Sequence, residues 1–251
     1  MSGGPVDAGA KSERLPVFRF LAGALIPLFE LMMKFVVVDG EKLPKTGAFI
    51  LSPNHLTNID PIIIGRVVWK LGRAPRYLAK ASLFTVPFLG WLLRKSGQVP
   101  VERTGSARGS DPLAAGEAIA RKGLAVVVYP EGSLTRDPEL WPMRGKYGAV
   151  RMALETGVPL IPAAHWGDQA ILPPYRGGFH PFPRKTVTVK IGDPVDLSRF
   201  AGRQVDTQVL AEATAMLMQA IADLVGDLRG ETPRAERWDP AAHNQSEIGK
   251  F

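Results

Sequence analysis

The stretch Ser52-Pro53-Asn54-His55-Leu56-Thr57-Asn58-Ile59-Asp60-Pro61 sets an imidazole and a carboxylate five positions apart, directly after an apolar run. A neutral imidazole can take the proton of a hydroxyl while that oxygen attacks a carbonyl carbon; a carboxylate on its other nitrogen fixes the tautomer and stabilises the imidazolium that forms. On one α-helix, residues five apart point about 140° from each other, so His55 and Asp60 meet only across a turn. Asp60 and Pro61 also read as the N-cap and first residue of a helix whose apolar content is Ile62, Ile63, Ile64, Val67 and Val68. Two readings therefore stand side by side: a base with its orienting carboxylate, or a helix cap beside a turn histidine. One carboxylate can do both. An enzyme nucleophile is not offered: the chain has no cysteine, and Gly105-Ser106-Ala107-Arg108-Gly109 puts its serine in the wrong place for a nucleophile elbow.

The elements that must hold these groups alternate along the chain. Ala48-Phe49-Ile50-Leu51 is a short apolar strand; a helix follows from about Pro61 to Lys70, then a strand Arg76 to Lys80, an apolar stretch Leu83 to Leu93, and a short strand Gln98 to Val101. Asp111-Pro112 opens another helix. Leu124 to Tyr129 is β-branched enough to sit in mid-sheet, a helix from about Lys146 to Glu155 leads to a strand Leu160 to His165, and Thr186 to Ile191 alternates like a half-exposed edge strand. Asp206 to Leu228 is a long last helix. This order predicts an α/β fold, a mostly parallel central sheet flanked by helices, with active groups at the carboxyl ends of strands. His55, Lys80, Arg103 and Glu131 each fall at or after a strand end, and so border one mouth.

With 251 residues the chain can bury one core, and it divides into an N-terminal tail and interfacial helix (1–38), an α/β domain (39–229) and a polar C-terminal tail (230–251). Thirty-one Lys and Arg against 24 Asp and Glu give a net charge of +7, which favours anionic partners. No secretory signal is visible. Within Leu15 to Val38 the longest uncharged run, Phe20 to Phe29, is too short to span a bilayer; Arg19, Glu30 and Lys34 share one stripe of a mostly apolar helix, which predicts an amphipathic helix lying in a membrane interface. Pro27 predicts a kink or two shorter helices. These features place the protein on the cytoplasmic face of the cell membrane, peripheral or monotopic, with anionic lipids as partners. His165 and His180 lack companion carboxylates or histidines at ligand spacing, so no metal is expected.

Asn54-His55-x-Thr57-x-x-Asp60 resembles the first motif of the glycerolipid acyltransferases of the lysophosphatidic acid acyltransferase type, a His and an Asp separated by any four residues. Three further stretches match that family in order: Gly97-Gln98-Val99-Pro100-Val101-Glu102-Arg103, Tyr129-Pro130-Glu131-Gly132-Ser133, and Val158-Pro159-Leu160-Ile161-Pro162. The resemblance implies transfer of a fatty acyl group from acyl-CoA or acyl-carrier protein to the free hydroxyl of 1-acyl-sn-glycerol 3-phosphate, giving phosphatidic acid, with His55 and Asp60 catalytic, no cofactor and no nucleic acid. It also implies that Arg103, Glu131, Gly132, Ser133 and, less directly, Lys80 serve the acceptor phosphate. The family continues its third motif with Arg-Ser; here Leu134-Thr135 intervene, so Arg136 is the cation that stands in. Glu131 is expected to orient Arg103 or Arg136 rather than touch an anion. Val158 to Pro162 is implied in the acyl path, and Phe84, Phe88, Leu89, Trp91, Leu92 and Trp141 either line it, touch lipid or fill the core. Glycerol 3-phosphate or another lyso-lipid or glycolipid is the alternative acceptor; a thioesterase, or a basic membrane-binding module without activity, is the alternative class.

Overall fold

The apolar runs pair into one seven-stranded sheet in a computed structural model that describes residues 15–101, 112–175 and 177–246. The strands are β1 (Met33–Val38), β2 (Phe49–Pro53), β3 (Pro75–Lys80), β4 (Val99–Val101), β5 (Ala125–Val127), β6 (Leu160–Trp166) and β7 (Lys185–Ile191), and the order is β1-β7-β6-β2-β5-β3-β4. β2 runs parallel to β5 and β6, and β3 runs parallel to β4 and β5. β7 turns antiparallel to β6 and carries β1 parallel beside it. The sheet is therefore mixed and mostly parallel, as the alternation of strand and helix predicts. β2 and β5 lie in its middle and are buried on both faces, which is why they are continuous apolar runs.

Helices cover both faces. On one, α1 (Pro16–Met32) and α2 (Asp60–Lys70) pack Phe29, Met32, Ile63, Ile64, Val67 and Val68 onto Phe49, Leu51 and Val127. On the other, α4 (Pro112–Arg121), α5 (Gly148–Thr156) and α6 (Thr207–Arg229) close over Ile50, Val126 and Leu160. The remaining helix, α3 (Pro87–Lys95), leaves Phe88 and Trp91 largely exposed, their rings stacked at 6.1 Å. Among the described residues α6 alone has the length and apolarity to cross a membrane, but it is the central core helix of its face and has ten buried residues. Asp206 caps it by accepting from the Val209 amide at 2.8 Å.

Three local expectations are corrected. β7 is not an edge: its alternating burial comes from one covered face, while β1 lies outside it. Residues 33–38, read as the end of an interfacial helix, form that edge strand, because Met33-Lys34-Phe35-Val36-Val37-Val38 ends in three β-branched valines after an aromatic residue and pairs along its whole length with β7. The helix before it runs as one element from Pro16 to Met32 with Pro27 inside, in place of the two shorter helices that were one of the alternatives. Its polar stripe does not face outward alone: Glu30 turns inward to Arg66 at 2.7 Å and Lys70 at 3.5 Å on α2, whereas Phe20, Leu28 and Leu31 are exposed. The C-terminal segment after α6 wraps back on the body, where Arg144 donates its amide to the Trp238 carbonyl and Arg234 pairs with buried Asp137.

Candidate active site

β2 ends at Pro53, and the chain turns through Asn54 to Ile59 before α2 begins. Inside that turn the Asp60 carboxylate, fully buried, accepts from the amides of Leu56 (2.6 Å) and Thr57 (3.0 Å) and from the Thr57 hydroxyl (2.5 Å). It makes no cap bond to α2, whose N-cap position falls on Ile59. The turn's own amides occupy it instead. Its Oδ2 lies 2.8 Å from His55 Nδ1, so the turn closes the gap that a continuous helix would leave open. With Nδ1–H donated to the carboxylate, Nε2 is left as the ring's acceptor. Burial opposes a charge on Asp60, but the charges and hydrogen bonds of His165 and His55 outweigh it and hold the carboxyl well below the usual range.

His55 is otherwise held from three sides. Its amide donates to Glu131 Oε1 at 2.9 Å, its carbonyl accepts from the Thr135 amide at 2.8 Å, and its ring stacks on Tyr129 at 4.2 Å. Glu131 is buried; its second oxygen accepts from the Met143 amide at 3.0 Å, and burial raises its pKa to about 8 against the pull of those two amides. Tyr77 donates to the Pro61 carbonyl at 2.5 Å, and the Tyr129 hydroxyl has no hydrogen-bond partner among the described residues. Burial pushes both phenols above their ordinary range, so both stay protonated.

His55 is also part of the wall of a cavity of about 570 Å³, lined by Leu21, Ala22 and Leu25 of α1, Ile62 and Gly65 of α2, and Leu92 of α3. A space of this size and lining can take a flexible apolar chain, and His55 and Tyr129 are among its polar wall residues. Of the side chains proposed for an acyl path, Leu92 lines this cavity, whereas Phe88 and Trp91 face solvent and Trp141 is buried with Ala164 and Val225 near α6.

Gly132 takes φ +74 with the Lys146 stem against it, and the Ser133 hydroxyl is 3.4 Å from the Leu134 carbonyl. Arg136 is buried and lies over the Tyr175 ring at 5.6 Å. The Glu131 carboxylate reaches the backbone amides of His55 and Met143, bracing the turn of one motif against the loop of another. Lys80 ends β3, and Arg103 lies outside the described residues.

Behind Asp60 stands a group the sequence reading passed over. His165 is not without a carboxylate: its Nδ1 is 2.9 Å from Asp168 Oδ1, and its Nε2 is 3.0 Å from the Asn54 carbonyl and 3.4 Å from Asp60 Oδ2. Asn54 clamps the same residue through its backbone, donating to the His165 carbonyl at 3.1 Å and accepting from its amide at 2.9 Å. The signal was present as His165-x-x-Asp168, a spacing that a turn after a strand can close. Ligand atoms of Asp60, His165 and Asp168 lie within 4.8 Å of one another. A carbonyl oxygen can only accept, however, so Nε2 carries a hydrogen and is not free to hold a metal.

A mostly parallel α/β sandwich here holds a carboxylate-bound imidazole beside an apolar cavity, an arrangement able to deprotonate a hydroxyl next to a long-chain substrate. Residues 34–166, more than half of the chain, match the family model described as Acyltransferase, and the chain belongs to that family. It is similar to the 1-acyl-sn-glycerol-3-phosphate acyltransferase of Bacillus subtilis, 29% identical over 212 residues that cover 84% of this chain and 98% of that protein. It also resembles the chloroplastic 1-acyl-sn-glycerol-3-phosphate acyltransferase BAT2 of Brassica napus, 33% identical over 134 residues, 53% of this chain and 37% of that longer protein. The fold is similar to that of the crystal structure of the 1-acyl-sn-glycerophosphate (LPA) acyltransferase PlsC from Thermotoga maritima, with TM-score 0.61, 22% identity, and coverage of 86% of this chain and 81% of that one.

Proposed function

We propose that this acyltransferase moves a fatty acyl group from an acyl thioester, acyl-CoA or acyl-carrier protein, to the free hydroxyl of 1-acyl-sn-glycerol 3-phosphate, giving phosphatidic acid. The observation that carries the reading is His55, whose Nδ1 is fixed at 2.8 Å from Asp60 and whose ring lines an apolar cavity. His55 Nε2 takes the hydroxyl proton as the oxygen attacks the thioester carbonyl; the carbon–sulfur bond breaks, and the imidazolium returns the proton to the departing thiolate. Asp60 keeps the ring in the productive tautomer. The acyl chain lies among Leu21, Leu25, Ile62 and Leu92. Arg103, Arg136, Lys80 and the loop Glu131-Gly132-Ser133 serve the acceptor phosphate, Glu131 by bracing the loop rather than by contact. Four curated relatives of differing origin carry the acceptor in their names, which supports this choice over glycerol 3-phosphate.

The same reading sets the enzyme on a membrane as a monotopic protein at the cytoplasmic face, with anionic lipids as partners. Exposed Phe20, Leu28 and Leu31 on α1 and Phe88 and Trp91 on α3 support it, since both helices also border the cavity. Release of free thiol from an acyl thioester, measured with and without lysophosphatidic acid, tests the function: the account expects acceptor-dependent release with phosphatidic acid as product. Equal release without acceptor means a thioesterase, and no release in either case means a binding module.

A further inference from the structure

Three ionisable groups, Asp60, His165 and Asp168, lie together behind His55 with no exposure. Removing charges from water is costly unless each is paired, and a trio of apolar side chains would fill the same space without that cost. Pairing is complete here: the ring of His165 reaches Asp168 at 2.9 Å on one side and the Asn54 carbonyl and Asp60 on the other. The Thr57 hydroxyl closes the circuit at 2.5 Å from Asp60 Oδ1 and 3.1 Å from Asp168 Oδ2. We propose that His165 is a positioning residue for the transfer step, a buried ring wedged between Asp60 and Asp168 that fixes the Asp60 carboxylate behind His55 and offsets part of its negative charge. The proposal rests on His55 being the base.

The charges follow from the contacts. Nε2 faces a carbonyl and carries a hydrogen, and Nδ1 shares a proton with Asp168. Burial disfavours a charged ring, but Asp168 and Asp60 outweigh it and hold the His165 pKa well above the ordinary histidine range. Burial raises the Asp168 pKa against the pull of His165. With Asp60 ionised, His55 neutral and His165 and Asp168 paired, the four groups carry one net negative charge, which vanishes when His55 takes the substrate's proton. The other ionisable groups that sense this set are Glu131, Tyr77 and Tyr129. Without the cation at 3.4 Å nothing behind Asp60 offsets its charge, and the undiminished carboxylate favours the imidazolium over the free base in the ring beside it.

The test is the pH dependence of kcat/KM for purified full-length wild type and His165→Gln, with His55→Ala alongside. We expect His165→Gln to move the acid limb upward by about one pH unit, a loss of roughly tenfold on the acid side, with the KM for thioester and acceptor nearly unchanged. A ring that only filled space would lower the folded fraction and leave the limb where it was. Should His165→Gln not fold, 15N NMR of the wild-type histidine rings decides, assigned by elimination with His55→Ala, His180→Ala and His243→Ala. Both His165 nitrogens are expected to carry protons through neutral pH. An unmoved limb in folded His165→Gln, an unprotonated His165 nitrogen near neutrality, or a stoichiometric metal on Asp60, His165 and Asp168 overturns the inference. Turnover by His55→Ala would instead overturn the functional reading beneath it.

Discussion

Two imidazoles approach the same carboxylate oxygen, one at 2.8 Å and one at 3.4 Å, and their surroundings differ. His55 lines a cavity, with its side chain 17% exposed and only Nδ1 bonded to the carboxylate. His165 has both nitrogens engaged and no exposure at all. A proton can enter and leave the first; the second can only hold its own. The difference teaches that distance to a carboxylate does not identify a base. Access does, together with a partner that leaves one nitrogen empty.

The sharpest way to break the comparison is on the cavity side. His55→Ala should lower transfer by about 10²–10⁴-fold and also lower the melting temperature, since the ring is mostly buried against Tyr129 and partners the Asp60 carboxylate. Asp60→Asn should cost nearly as much activity and also lower stability, because its amide nitrogen would face the donors of Leu56, Thr57 or His55; steady-state assays and thermal unfolding of the same preparations check both. Filling the cavity acts more gently. Ala22→Trp, on the α1 wall, should shift preference to shorter acyl chains several-fold without moving the pH profile, measured by competition between thioesters of different length.

Glu131 sharpens the comparison from the other end, as a buried acid with backbone partners. Its folded pKa of about 8 lies above the ordinary glutamate value, so the stability it contributes is full below that ordinary value and is lost as pH rises through 8. Wild type should therefore lose thermal stability between about pH 5 and 9 relative to Glu131→Gln, whose side chain does not titrate, even though the variant starts lower for want of a second acceptor. Smallest in effect on chemistry is the outer surface. Replacing Phe20, Leu28 and Leu31 with Ser should reduce vesicle binding and activity on vesicle-borne acceptor, and leave activity on a short-chain monomeric acceptor within about twofold. Unchanged vesicle binding would remove the membrane role of α1. Substitution is the proper probe here, because truncation through Val38 would also remove β1 from the sheet.

The strand–helix alternation was legible because each central strand is buried on both faces and each helix carries its own apolar periodicity. The edge was not, since β1 follows a longer apolar helix directly, with no Gly or Pro at the Met32–Met33 junction to mark the change. At the site, His55 and Asp60 stand out by spacing within one turn. His165 and Asp168 do not, because their link to Asp60 crosses from β6 to the turn after β2, a contact that only the sheet order creates. The Tyr129 ring against His55 was hidden for the same reason: β5 pairs with β2, and nothing local in Tyr129-Pro130-Glu131 says which strand end it will meet.

The central claim is that His55, oriented by Asp60, is the base that activates an acceptor hydroxyl. The most direct measurement is product analysis of one acyl thioester incubated with lysophosphatidic acid, comparing wild type and folded His55→Ala. The account predicts phosphatidic acid from the wild type, dependent on the acceptor, and at most about a hundredth of that rate from the variant. Phosphatidic acid formed by His55→Ala at the wild-type rate would contradict it.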